Sequence, residues 1–180
     1  MRYEIADLLV EMSPGGRTAV QAEAYRVSAW DRPPDITIRV DRPSALACYP
    51  ELKSGDQAEY LATGDRFALG LLRCGGLVLH AAAVELRGRA VCFSAPPGVG
   101  KSTMAERWVR LFGAAVLNDD KPALRRLDGR WRAWGTPWAG TSGIQQNRSA
   151  PLEAVCFLFR GGENAAAPLT PAEALPLLLS

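Results

Sequence analysis

The chain has 180 residues, 48% hydrophobic and 22% charged, enough apolar material for one domain with a buried core. Its 21 basic and 19 acidic side chains leave a formal net charge of +2, and no block of like charge marks a nucleic-acid arm or an acidic tail. Four scattered cysteines without a C-x-x-C pair support neither a disulfide framework nor a zinc site, and no run reaches the ~18 apolar residues of a membrane span. The opening "MRYEIADLLVEM" carries acids and lacks the apolar core of a signal peptide. The expected setting is the cytoplasm, with neither nucleic acid nor membrane as partner.

"YEIADLLVEM" and "EAYRVSAW" read as strands, and "DITIRV" alternates apolar and polar residues with β-branched content. The segments "SPGG", "DRPPD" and "DRPS" between them read as turns, giving a β-rich stretch to about Pro50. From "GDQAEYLATGDRFALGLLRCGG" the period becomes helical. Ala58, Leu61, Phe67, Leu69 and Leu72 form a stripe, interrupted near Gly64 and ending at Gly75-Gly76. "LVLHAAAVELRGRAVCFSA" predicts a hairpin with Gly88 at its tip, whose second strand is apolar enough to lie centrally. A helix follows with Met104, Ala105, Trp108, Val109 and Phe112 on one face and Gly113 as its stop. "AAVLNDD" is a buried strand ending in acids, and "PALRRLDGRWRAWG" is a hairpin turning at Asp128-Gly129. Arg125, Arg126, Arg130 and Arg132 cluster there with Asp119, Asp120 and Asp128 among them, which reads as a solvated hairpin rather than a polyanion patch. "PLEAVCFLFRGG" is a last strand and "TPAEALPLLLS" a helix entry. The pattern predicts an α/β protein. Residues 1–75 form a small β-rich segment with a helix near 56–73, and residues 76–180 form a core with a mixed sheet.

"VCFSAPPGVGKST" departs in two ways from the phosphate-loop pattern G-x-x-x-x-G-K-[ST]. Ala95 stands at the first glycine, and Pro96 and Pro97 each remove an N–H donor. The strand before it and the helix after it are the context such a loop needs. The loop expected to hold phosphate runs through Pro97, Gly98, Val99, Gly100, Lys101, Ser102 and Thr103, with the amides at 98 to 102 and the helix N-terminus as its donors. Lys101 reaches the β- and γ-phosphates of ATP, and the Ser102 hydroxyl suits Mg²⁺. An ordinary βα turn is the alternative. In "LNDD", Asp119 and Asp120 end a strand one strand-helix unit beyond the loop, where one acid can meet a metal and the other accept a proton. An exposed Asp pair opening a turn is the alternative. His80, the sole histidine, lies on the strand before the loop-bearing one, so both a buried hydrogen-bonded role and an approach to the phosphates are open.

His80, the hairpin, the loop and the paired acids, in that order over about residues 76–125, resemble the catalytic domain of HPr kinase/phosphorylase, whose fold is related to that of PEP carboxykinase. "NDDKPAL", "GTPWAGT" and "PLEAVCFLFRGGEN" are similar to segments of HPr-kinase-like bacterial proteins, some distant members of which serve in peptide natural-product pathways. The resemblance implies a P-loop kinase core taking ATP and Mg²⁺. Lys101 would bind phosphate, Ser102 contact the metal, Asp119 act as catalytic base and His80 support it, with Asp120 beside the metal or acceptor. The implied activity is phosphorylation of a Ser or Thr hydroxyl on a protein or peptide. A non-catalytic ATP-binding module and a small-molecule or PEP carboxykinase-like enzyme are the alternatives. HPr kinases carry a further magnesium-binding glutamate, whereas "GTPWAGTSGIQQNRS" (135–149) has no carboxylate. That loop, with Thr136, Trp138, Thr141, Gln145, Asn147 and Arg148, either shapes the acceptor side or simply packs. Those kinases also carry a C-terminal helical portion with a catalytic arginine. This chain runs only to Ser180, with Arg160 the candidate substitute, and Leu175 with Leu177 to Leu179 are expected to be exposed and to favour a homo-oligomer.

Overall fold

The computed structural model describes residues 1–28, 30–163 and 165–178. Strands β1 (Arg2–Ile5) and β2 (Leu8–Met12) form an antiparallel hairpin, and β3 (Ile36–Ile38) joins β2 in parallel to complete a three-stranded sheet. The expected single strand over 3–12 is therefore two. Ala6 and Asp7 between them have φ of 54° and 61°, the positive values that a two-residue I′ hairpin turn demands.

Helices take more of this segment than the sequence pattern predicts. α1 (Gly16–Ala22) runs into a 3₁₀ turn at Glu23–Tyr25, so among the described residues of "EAYRVSAW" no strand forms and Arg26 alone bridges, to Tyr3. Ala22 and Tyr25, three apart, are both fully buried, and that helical spacing prevails over local β-propensity. α2 (Arg42–Cys48) grows from "DRPS": the Asp41 carboxylate accepts from Ser44 N at 2.9 Å, and Pro43 sits in the first turn, where its missing N–H is harmless. α3 (Gly55–Arg73) is unbroken across Gly64. A Cβ at Gly64 would lie 3.0 Å from Cδ1 of Trp138, so this glycine lets the indole pack on the helix backbone.

A curled seven-stranded sheet follows, in the order β4-β8-β9-β10-β6-β5-β7. Its strands are β4 (Gly76–Val78), β5 (Ala81–Leu86), β6 (Arg89–Ser94), β7 (Ala115–Asn118), β8 (Ala123–Leu127), β9 (Arg130–Trp134) and β10 (Ser149–Phe157). Only β10 and β6 run parallel. The two hairpin turns predicted from "LRGR" and "LDGR" are present, with φ of 52° and 78° at Arg87-Gly88 and 50° and 79° at Asp128-Gly129. The expected strand over 77–84 breaks at Leu79-His80, where the chain leaves β8 as partner and takes β6 and β7. At the break, Leu79 N donates to Pro122 O (3.0 Å) and Ala81 N to Asp120 O (2.9 Å). The curl thus lays His80 along the connection that carries the acid pair.

α4 (Lys101–Phe112) covers one face of β5, β6 and β7 and ends at Gly113, whose φ is 69°. Ala82 and Val84 of β5 pack under α4, while Ala81 and Ala83 face the opposite cluster with Leu117 and Leu124, so this strand is buried on both sides. A third cluster joins β1–β3 and α3 to Ala123 and Trp138, tying the first 75 residues to the larger sheet. Of the expected leucine cluster on α5 (Pro171–Leu178), Leu175 is exposed, whereas Leu178 packs against the cluster around Leu79 and Leu117 and Leu177 is half-buried. Leu179 lies outside the described residues. Among the described residues no helix is long and apolar enough to cross a membrane.

Candidate functional site

β6 ends at Ser94 and α4 begins at Lys101, so residues 95–100 are a strand-to-helix loop. Gly98 and Gly100 have φ of 76° and 126° with no atom near a hypothetical Cβ; the demand for glycine here is conformational. Ala95 is not among the residues of positive φ, so alanine at the first motif position carries no backbone strain. The first helical bond runs from Met104 N to Gly100 O (2.9 Å), leaving the amides of Lys101, Ser102 and Thr103 directed out of the helix end. The Lys101 ammonium lies back across the loop and donates to Ala95 O at 2.8 Å. Arg160, just beyond β10, donates to Gly98 O at 2.9 Å, which places a second cation on the loop.

The acids end β7 and diverge. Asp119, 8% exposed, accepts from Gly140 N (2.6 Å) through Oδ1 and from the Ser142 hydroxyl through Oδ2. Asp120 instead meets His80, with Nε2 to Oδ1 at 3.1 Å. Burial raises the Asp120 carboxyl, but the His80 hydrogen bond, with the charges of His80, Lys121 and Lys101, outweighs it and holds the group below its ordinary value. Ala81, whose N donates to Asp120 O, pairs with Ser94 at the end of β6, so the loop and the acid pair share one end of the sheet. Because ionised Asp120 can only accept, Nε2 carries the hydrogen of that bond, and in neutral imidazole Nδ1 is then the proton-accepting nitrogen.

Asn118 sets this divergence. Its side chain is fully buried, with Oδ1 accepting from Asp120 N (2.9 Å) and Lys121 N (2.6 Å) and Nδ2 donating to Thr136 O (3.0 Å). The 135–149 loop is docked rather than open. Trp138 stacks on Phe67 with ring centroids 4.8 Å apart and donates to Thr63 Oγ1 at 3.1 Å. Gln145 accepts from Tyr25, Asn147 donates to Ala24 O, and Arg148 pairs with Glu85. Arg17 Nη2 donates to Ala139 O (3.0 Å) and Gly140 O (2.6 Å) while its guanidinium stacks over Tyr60, whose hydroxyl donates to Ala139 O at 2.6 Å. Burial pushes the Tyr60 phenol up to about 12, keeping it a donor.

Residues 68–179, well over half of the chain, match the family described as SynChlorMet cassette protein ScmC. The chain belongs to the ScmC family. No curated protein matches it. The ScmC match takes in His80, the loop, the acid pair and the loop over 135–149, and it leaves out Arg17 and Tyr60.

Hard oxygen donors of the kind Mg²⁺ takes are present at Ser102 and Asp120. Among the described residues no group of three His, Cys, Asp or Glu side chains gathers to hold a metal alone. A cation that keeps its waters and shares phosphate oxygens fits such a sparse donor set. Beside the loop lies a cavity of about 330 Å³ lined by His80, Ser94, Ala95, Pro96, Pro97 and, from the far wall, Phe157 to Phe159 and Leu177.

Proposed function

We propose that the protein is an ATP-dependent phosphotransferase of the HPr-kinase-like type, transferring the γ-phosphoryl group to a Ser or Thr hydroxyl of a protein or peptide. The observation that carries this reading is the His80–Asp120 pair, held at 3.1 Å at the sheet end that also bears the Lys101 loop. Loop amides from Gly98 to Thr103, with Lys101, would grip the phosphates, and Arg160 adds charge at the rim. Mg²⁺ bound through Ser102 and Asp120 would neutralise phosphate charge.

The acceptor hydroxyl gives its proton to Nδ1 of His80 as its oxygen bonds to the γ-phosphorus. The bond from that phosphorus to the β-phosphate oxygen breaks, and its electron pair leaves with ADP. Asp120 fixes the imidazole tautomer and stabilises the imidazolium that forms. In this reading the His80–Asp120 pair takes the part of base that the resemblance assigns to Asp119, whose oxygens accept from Gly140 and Ser142.

The test is transfer of γ-labelled phosphate to peptide with wild type and Lys101→Ala. The variant should bind magnesium-ATP weakly and lose transfer while melting like wild type, since among the described residues the Lys101 side chain donates one hydrogen bond, to a loop carbonyl. Tight nucleotide binding without transfer to peptides or small hydroxyl compounds would make the protein a nucleotide-binding module. Undiminished transfer by Lys101→Ala would end the phosphate-loop reading.

A further inference from the structure

The side chains lining the cavity beside the loop are mostly apolar, where a phosphate site would gather polar ones. Its walls are Ala95, the Pro96 and Pro97 rings, Phe157, Leu158 and Phe159 leaving β10, and Leu177 of α5. Its polar side chains are Ser94 and His80. The Ser94 hydroxyl donates to His80 O at 3.0 Å, and the His80 Nε2 holds Asp120. Phe159 is 69% exposed, so its ring is open to a partner.

Resting on the phosphotransferase reading, we propose that this cavity is the acceptor subsite and that it takes a bulky apolar side chain flanking the phosphorylated hydroxyl of a peptide. Three observations choose this occupant. Prolines at 96 and 97 offer no amide to a phosphate, so that part of the loop presents hydrocarbon instead of donors. A purine would bury ring nitrogens and an amine in a cavity whose Ser94 hydroxyl is already committed, which is unfavourable, whereas an apolar side chain makes no such demand. Finally, His80 lies in the cavity wall, so a side chain seated there places the neighbouring residue's hydroxyl close to the residue that the phosphotransferase reading makes the base. The two departures from the glycine-rich motif at its start thereby gain a purpose: they line the acceptor pocket.

The experiment uses the full chain, magnesium-ATP, and seven-residue glycine peptides with a central serine flanked on either side by glycine, leucine or phenylalanine. Wild type should phosphorylate the best apolar-flanked peptide with a kcat/KM at least about tenfold above the all-glycine one, the range a hydrophobic pocket discriminates. Phe159→Ala and Leu177→Ala, in separate walls, should each shrink that ratio while calorimetry shows magnesium-ATP affinity unchanged. Equal rates for all peptides, or a fall in nucleotide affinity with the ratio intact, would overturn the proposal and leave the kinase reading standing. The same peptides with alanine for serine are titrated in parallel. Apolar-flanked peptide binding that Phe159→Ala weakens, without transfer from any serine peptide, would keep the pocket and remove the kinase. Neither binding nor transfer would remove both.

Discussion

Asn118→Ala tests how the acid pair is aimed. The carboxamide is fully buried, satisfies two N–H donors, at Asp120 and Lys121, and donates to the Thr136 carbonyl at 3.0 Å, with a longer bond of 3.4 Å to that of Trp138. A buried polar group left without a partner costs about 1–3 kcal/mol. Asp120 and Lys121 are half-buried, so water can reach part of the gap, and the loss should lie near the lower end of the sum, at about 3 kcal/mol. For a chain of this size each kcal/mol moves Tm by about 2–4 °C, so calorimetry should find a fall of about 6–12 °C. At 20 °C, where both proteins stay folded, phosphate transfer should fall about a hundredfold, because Asp120 and with it His80 lose their bearing. A Tm within about 2 °C of wild type would show that Asn118 is not the clamp its hydrogen bonds describe.

Asp120→Asn should lower transfer by about 10²–10⁴-fold and Asp119→Asn by much less, measured as kcat on one peptide; a loss at Asp119 equal to or above that at Asp120 would return the base to Asp119. Arg17→Ala, which strips donors from the carbonyls of Ala139 and Gly140, should cost about 1–3 kcal/mol in urea unfolding, and Arg17→Lys should restore only part because an ammonium cannot reproduce the guanidinium stack on Tyr60. Since the fold depresses the Asp120 carboxyl, its contribution to stability is complete above the unfolded-state value of about 3.9 and is lost as pH falls through the folded value. The Tm gap between wild type and Asp120→Asn should therefore narrow from about pH 6 to about pH 3, and a constant gap would refute that contribution.

What the sequence discloses here is local chemistry. The Arg87-Gly88 and Asp128-Gly129 turns, the strand-loop-helix around Lys101, and the helix stop at Gly113 each carry their cause within a few residues. α1 does not. "SPGG" reads as a turn because the partners for this helix start lie some forty residues on: Gly15 N donates to Glu59 at 2.5 Å, and Arg17 N to the Asp56 carboxylate. α2 did announce itself, through an aspartate three residues before a serine with proline between, but those residues also suit a turn. The same division runs through the site. The loop and the acids were legible as motifs, and Asn118 heads a run in which an Asx turn is expected. That His80 would meet Asp120 rather than Asp119 depends on the curl that lays residues 79–81 beside residues 120–122, which no spacing in the chain records.

Arg17, Tyr25 and Tyr60 show why a glycine-rich loop without a carboxylate can still belong to such a site. Glycines at 135 and 140 allow close approach: a Cβ at Gly135 would lie 1.9 Å from Gln146 O, and one at Gly140 would lie 3.2 Å from Asp119 Oδ2. The first segment adds anchors to the loop's own contacts at Thr136, Trp138 and Gln146, through Arg17 and Tyr60 on residues 139–140 and Tyr25 on Gln145. The loop in turn presents Gly140 N and the Ser142 hydroxyl to Asp119. Asp119 is thereby fixed as the hinge post between loop and strand, and its neighbour on the other side of the chain is free to face His80. The two adjacent acids thus diverge, Asp119 to the 135–149 loop and Asp120 to His80.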